Sequence, residues 1–439
     1  MSLRRARADS SRVEHGIDAE LFAVIAGCTV LWGLVSSRLE RWGVTAPIAF
    51  LGFGLFAANR PLQLVHVLPG SATVRMIAEV TLALVLFSDA SRVNIRALRR
   101  DVGAPARLLL IGLPLTIGLG FFVGLVVFTG IDPWIAAAIA AIVAPTDAAL
   151  GAPIMEDERI PGRVRRILNV ESGLNDGIAT PIATFFIAGA AGEVHVVGAS
   201  GPAHALADLA VGAVVGAAAG LIGGWSLARA SRSGWASPAF RPIAVLALAM
   251  FAYAASVNAG GNGFVAAFIG GMTFGSAWKG DTVEVLELTA DGGALGSVVV
   301  WFLFGALLVP VLDHVGWSAL LYAALSLTVV RMVPVALALV STHFDRATVG
   351  IIGWFGPRGL ASIVFGLLAF DALDPAHAQA VLGPVAVVVL VSVVAHGVSA
   401  RPLSRWYGAR MSTLQPGLAE EGETAELRTR PFIRPRTRP

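Results

Sequence analysis

Apolar runs of about twenty residues recur from residue 21 to residue 400, and this repetition constrains the chain more than any single motif. About twenty helical residues cross a ~30 Å hydrocarbon core, and in lipid every backbone polar group must be satisfied within the span. Hydrophobic residues make up 56% of the 439 positions and charged ones only 14%, against about 25% charged in an average soluble domain. The reading is an all-α integral membrane protein embedded in a lipid bilayer.

The pattern predicts thirteen helical spans, near 19–37, 44–58, 74–91, 105–129, 133–154, 165–190, 203–230, 239–258, 261–278, 292–312, 316–341, 347–370 and 378–400. A polar segment, 1–18, precedes a transmembrane domain at 19–406. The stretch 407–439, rich in Arg, Pro, Glu and Thr, reads as a disordered cytoplasmic tail. Sidedness follows from the basic residues. With the C-terminus inside, the cytoplasmic connections carry Arg38 and Arg41, then Arg92, Arg96, Arg99, Arg100 and Arg107, then Arg159, Arg163, Arg165 and Arg166. Later ones carry Arg229, Arg232, Arg241, Lys279 and Arg346, whereas the opposite loops hold only Arg60 and Arg75. This places the N-terminus outside, against the signal of Arg4, Arg5, Arg7 and Arg12. Basic residues scattered between spans orient a membrane protein and exclude a nucleic-acid surface, despite a net charge of +3. The one cysteine, Cys28, forms no internal disulfide and leaves no cysteine-based metal site.

Two spans are interrupted: the fifth by APTDAALGAP (Ala144–Pro153) and the twelfth by GWFGPRGLAS (Gly353–Ser362). Their spacing suits two repeats, about 19–190 and 239–400, flanking a linker helix at about 203–230. Paired broken helices of this kind build ion sites near the membrane midplane. The abundant glycine, 49 residues, suits close helix packing in lipid.

The sixth span contains NVESGLNDGIATPI, residues 169–182. An ionised group at the centre of a membrane helix costs ~2.5–3.5 kcal/mol on insertion scales, so its two acids each need a partner or a task. Ser172 and Asp176 share one helix face, and Glu171 and Asn175 share another. Glu171 and Asp176 point about 140° apart. Arg358 is the only arginine that these spans place deep in a helix centre, inside a Gly-Pro-Arg-Gly break. The expectation is a Glu171–Arg358 pair joining the sixth span to the twelfth. Asp176 is then left to exchange a proton for a small hard cation, which prefers oxygen ligands. Ser172, Thr146 and an unwound carbonyl can complete the set, with Asn175 either a ligand or an orienting amide. Asp147 reads first as a cap on the half-helix that follows it, and second as an ion ligand.

Asp89 reads as a water-facing acid beside Arg92, with membership of the ion site as the alternative. Glu79 is an apparent mid-span acid. Arg331 either snorkels or pairs with Asp345 or Glu79. His314, His343, His377 and His396 lie at or near span ends and read as solvated, and Trp354 and Phe355 as packing residues.

Several stretches then resemble one family in order: LFSDASRVNIRALRR, VAPTDAAL, ESGLNDG, VVVWFLFGALLVP, RMVPVALALV, GWFGPRGLASIVFG and SVVAHGVSARPLS. The resemblance is to monovalent cation:proton antiporter family 1, the NhaP-like and NHE-like branch, over residues ~20 to 407. It implies thirteen helices in NhaA-like inverted repeats, with a core of two crossed discontinuous helices and a dimerisation domain. A homodimer in a bacterial inner membrane is implied as well. By the same resemblance Asp176 binds ion and proton, Ser172 and Thr146 help ligate Na+, and Glu171 bridges to Arg358. Asp89 matches an acid that some relatives use in the third helix. Asn175, where another branch has Asp, implies electroneutral one-for-one exchange. PTDAA departs from the Thr-Asp-Pro of many relatives, so this break is expected to differ in shape.

The leading expectation is therefore a secondary transporter exchanging Na+, Li+ or K+ for H+ by alternating access, without a cofactor. A K+-selective antiporter, a cation channel or uniporter, and a non-transporting membrane sensor are the alternatives. An enzyme is not expected: the chain has no zinc-ligand pattern and no nucleophile elbow, and Ser172 has no His nearby in sequence.

Overall fold

The computed structural model describes residues 19–59, 63–65, 67, 70–92, 103–192, 202–313, 315–412 and 420. Arg4, Arg5, Arg7, Arg12, Arg60, Arg96, Arg99, Arg100, His314 and most of the expected tail lie outside the described residues. Within them the regular structure is helical, with no strand. In chain order the helices are α1 (Ala19–Glu40), α2 (Ala46–Ala58), α3 (Ala72–Arg92) and α4 (Gly103–Val127), the last with a π turn at Leu108–Gly112. There follow α5 (Pro133–Ile142), α6 (Ala148–Met155), α7 (Gly162–Ala190) and α8 (Pro202–Arg232). Next come α9 (Arg241–Asn258), α10 (Gly263–Ala277), α11 (Thr282–Leu312) and α12 (Trp317–Leu327). The last are α13 (Val329–Ala338), α14 (Arg346–Trp354), α15 (Leu360–Ala372) and α16 (Pro375–Met411). Seven helical stretches among the described residues are long and apolar enough to cross a membrane.

Short polar residues start many of these helices, because an N-cap oxygen satisfies N–H groups that have no intrahelical partner. Asp132 accepts from Trp134 N at 2.7 Å, Asn262 from Phe264 N at 3.0 Å and Asp374 from Ala376 N at 3.1 Å. Asp281 accepts from Val283 N at 2.9 Å. It begins α11 ten residues before the expected edge of the tenth span at 292 and so brings Asp291 inside a helix. The eleventh span divides at Thr328 (φ −105°, ψ −91°) into α12 and α13. The thirteenth runs on to Met411, so residues 407–411 of the expected tail are helical, with Tyr407 buried.

Glycine sets how closely the helices approach. On α8, Gly212, Gly216 and Gly220 face the backbone of α10, and a Cβ on each would lie 2.6, 2.4 and 2.1 Å from Asn262 O, Ala266 O and Gly270 O. Gly54 and Gly305 make a reciprocal contact between α2 and α11, where Cβ atoms would lie 1.9 and 2.2 Å from the facing carbonyls. Small residues at i, i+4 let membrane helices pack backbone to backbone. Large apolar side chains such as Phe22, Leu34, Val126, Val214 and Trp225 are exposed on the outside, as a lipid-facing surface requires.

The chain also folds back on itself at Glu420. Its buried carboxylate accepts from Asp345 N at 2.9 Å and from the Thr348 hydroxyl at 2.7 Å, at the start of α14. The Thr348 hydroxyl lies 2.8 Å from that of Tyr407 on α16.

Candidate functional site

The two expected breaks are real and lie against each other: residues 143–147 separate α5 from α6, and residues 355–359 separate α14 from α15. Each supplies what the other's loose ends lack. Asp147 N donates to Pro357 O at 2.7 Å. The Asp147 carboxylate caps two half-helices, with Oδ1 accepting from Ala149 N at 2.7 Å and Leu150 N at 3.3 Å. Its Oδ2 accepts from Leu360 N at 2.9 Å. At the carbonyl end of α5, Ser362 Oγ donates to Ile142 O at 2.7 Å, and the Arg358 guanidinium donates to Ala144 O and to Pro145 O. A cation at a helix C-terminus meets the negative end of the dipole. The glycines of the second break are there for room: a Cβ on Gly359 would lie 2.0 Å from Asp147 Oδ2, and one on Gly356 would lie 2.6 Å from Arg331 Nε.

The long α7 runs beside both breaks. Glu171, 3% exposed, takes Arg331 as its ion-pair partner at 2.6 Å, and Arg331 is 2% exposed. This corrects the expected Glu171–Arg358 pair. Arg358 is fully buried and directs its donors at the Ala144 and Pro145 carbonyls of the first break, although it remains within electrostatic reach of Glu171. None of the alternatives foreseen for Arg331 holds: its burial against Glu171 excludes snorkelling, and both Asp345 and Glu79 are engaged elsewhere. Asp345 pairs with Arg410 at 3.1 Å. Glu79 accepts from Arg75 at 2.7 Å and from the Tyr253 hydroxyl at 2.9 Å.

One turn further along α7, Asn175 Nδ2 donates to Thr146 Oγ1 at 2.6 Å, and Thr146 Oγ1 lies 3.0 Å from Ser172 Oγ. All three are buried. Asn175 therefore acts on Thr146 as a donor, an orienting contact. Ser172, Asp147 and the half-buried Asp176 line an open cleft, together with Asp89, Arg92 and Asp291. The structure thus brings Asp176, Ser172, Thr146, Asn175 and Asp147 together, and sets Asp89 on the wall of the same cleft. The arrangement offers a cation the Ser172 hydroxyl, with Thr146 buried behind it, and several carboxylates at the junction of four half-helix ends.

Outside the transmembrane helices, Asp157 and Asp345 are held below the usual carboxylate range, chiefly by hydrogen bonds from Arg159 and Arg410. His343 and His377 are exposed, in keeping with solvated histidines, and His377 pairs with Asp374. His396 is different: it is 2% exposed and hydrogen-bonded at the second break, which overturns the solvated reading. The burial of Arg331, the cleft position of Asp291, the contact of Ser362 with Ile142 O and that of Ser392 Oγ with Arg358 N were not foreseen. For Asp291 a signal existed: Asp281–Thr282–Val283–Glu284 has the spacing of a capping box, which moves the helix start upstream and Asp291 into it.

The family model described as "Sodium/hydrogen exchanger, transmembrane" matches residues 23–406. The K(+)/H(+) antiporter NhaP of Alkalimonas amylolytica is 27% identical over 382 residues, which is 85% of this chain and 64% of that protein. The K(+)/H(+) antiporter NhaP2 of Shewanella oneidensis is 25% identical over 394 residues, 87% of this chain and 66% of that one. The chain thus spans slightly less than two thirds of the length of these relatives. Among solved structures, the sodium proton antiporter MjNhaP1 from Methanocaldococcus jannaschii superposes with a TM-score of 0.71 at 19% identity, covering 90% of this chain and 99% of that one. The likeness is one of fold, that of an all-α membrane transporter.

Proposed function

The chain belongs to the sodium/hydrogen exchanger family, a family of secondary transporters and not of enzymes, and from that premise we propose that it exchanges a monovalent cation for a proton at Asp176. The observation that carries this reading is a half-buried carboxylate on an open cleft, one helical turn from Ser172 and beside two abutting helix breaks. A carboxylate that holds either H+ or M+ has the same net charge in both states. That equality makes the exchange one-for-one and electroneutral without further machinery. Ser172 and Thr146 supply neutral oxygen ligands, which hard cations prefer. Asn175 orients the Thr146 hydroxyl, Asp147 holds the half-helix starts, and the Glu171–Arg331 pair with Arg358 fixes α7 against the breaks. Asp89 and Asp291 draw cations into the cleft.

In this reading the chain crosses the membrane thirteen times as two inverted repeats, with the two breaks forming crossed discontinuous helices. Alternating access closes the cleft on one side and opens it on the other. The C-terminus is cytoplasmic, and two copies form a homodimer in the inner membrane. For the cation, the names of the curated relatives favour K+, while that of the solved relative favours Na+. The test is a dye-based antiport assay in proteoliposomes, scanning Na+, Li+ and K+ across pH. Wild type dissipates a pH gradient on cation addition, and Asp176→Asn does not. Exchange retained in that variant removes Asp176 from the mechanism.

A further inference from the structure

His396 lies on α16, in contact with the second break. Its Nε2 is 2.8 Å from Trp354 O, at the end of α14, and its Nδ1 is 3.2 Å from Ser392 Oγ and 2.8 Å from Ser392 O. Ser392 Oγ in turn accepts from Arg358 N at 2.7 Å, inside the break. Trp354 and Phe355 pack their rings against the imidazole, with centroids 5.2 and 6.2 Å away. Trp354 Nε1 donates to Ser399 Oγ, also on α16, at 2.9 Å.

An account of donors and acceptors gives a directed chain. Arg358 N–H occupies one lone pair of Ser392 Oγ, so the Ser392 hydroxyl hydrogen is available to donate to His396 Nδ1. The neutral ring then carries its hydrogen on Nε2 and donates to Trp354 O, the tautomer being set by its neighbours. If a proton were added, Nδ1–H would turn to Ser392 O, and the Nε2–H bond to Trp354 O would stay. The donor that reaches the break is therefore present in both forms. Charges facing this pocket are Arg358, from the break, and Arg331, from α13, with Glu171 of α7 opposite Arg331.

We propose that His396 and Ser392 are positioning residues of the ion site. Together they tie the carbonyl at one end of the 355–359 break and the N–H of Arg358 within it to a single turn of α16. Arg358 and Leu360 N, which close the α5 end and receive Asp147, are thereby held in place. His396 touches no ion and carries no transported proton.

The inference uses transport as one readout and so rests on the proposed function for that arm; a second readout does not. In proteoliposomes, His396→Gln keeps an N–H donor that does not titrate and is expected to retain the wild-type pH profile, with an apparent KM for the cation within about threefold. His396→Leu and Ser392→Ala each remove a link and are expected to raise that KM about five- to tenfold, the scale of one lost buried hydrogen bond. Hydrogen–deuterium exchange in detergent, followed on peptides covering 353–362, is expected to speed up in His396→Leu and Ser392→Ala but not in His396→Gln. If wild type shows no exchange activity, the proposed function fails and the deuterium readout still decides this one. Unchanged exchange at 353–362 in both Leu and Ala variants overturns the positioning role. A pH profile displaced in His396→Gln overturns it in favour of a titrating ring. Where His396→Leu does not fold, Ser392→Ala carries the test.

Discussion

Replacing Glu171 and Arg331 singly and together reads out the buried triad most directly. The pair is separated by 2.6 Å with 3% and 2% exposure, and Arg358, fully buried, lies within electrostatic reach. Two unit charges about 4 Å apart interact by about 4 kcal/mol at an effective dielectric of 20. Removing one partner of a buried pair costs about 3–5 kcal/mol, because the other charge is left uncompensated. The triad makes the two single changes unequal. Arg331→Met leaves Glu171 facing Arg358, so its cost falls at or below the lower end of that range. Glu171→Gln leaves two buried guanidinium groups facing each other with no anion, and belongs at the upper end. The double variant should recover part of the sum, with a coupling of about 1–3 kcal/mol. Unfolding in mixed detergent micelles, followed by the fluorescence of the ten tryptophans, measures all four proteins. If Glu171→Gln is no worse than Arg331→Met, or if the double variant shows no coupling between the two sites, the assignment of partners is wrong.

Two further outcomes follow from the caps. Asp147→Asn keeps one oxygen acceptor where two serve α6 and α15, so it should lose one cap, about 1 kcal/mol. Thermal melts should fall while transport is weakened and not abolished; unchanged melts would mean that the second cap contributes nothing. Asp345 is held below the ordinary carboxylate range by Arg410. Its contribution is therefore present above the unfolded pKa of about 3.9 and lost as pH falls through the lower folded value. Melting curves of wild type and Asp345→Asn should differ at neutral pH and converge below about pH 4; curves that stay parallel down to pH 3 would refute the linkage.

The positions of both breaks and the acids of α7 are legible in the sequence because lipid penalises charge and irregular backbone strongly enough to leave a local mark. Partner choice is not local. Arg331 and Arg358 both sit in apolar surroundings, and which of them meets Glu171 depends on the rotation of α13 and on how the Ala144 and Pro145 carbonyls of the first break engage Arg358. His396 was hidden for a similar reason: nothing within a few residues of it reveals that Trp354 O, 42 positions earlier, lies beside its ring. Asp291 was missed by a boundary, since hydropathy finds the apolar centre of α11 while the Asp281 cap finds its start.

The contact made by Glu420 bears on how the protein should be prepared. A polypeptide cut short before residue 420 surrenders the acceptor for Asp345 N and the Thr348 hydroxyl, and the loosened turn is the first of α14. The opposite end of that nine-residue half-helix is Trp354, which touches His396 and the break. Trimming the C-terminus to ease purification would thus loosen one end of a rod whose other end abuts the break, and rates from trimmed and full-length samples would not be interchangeable.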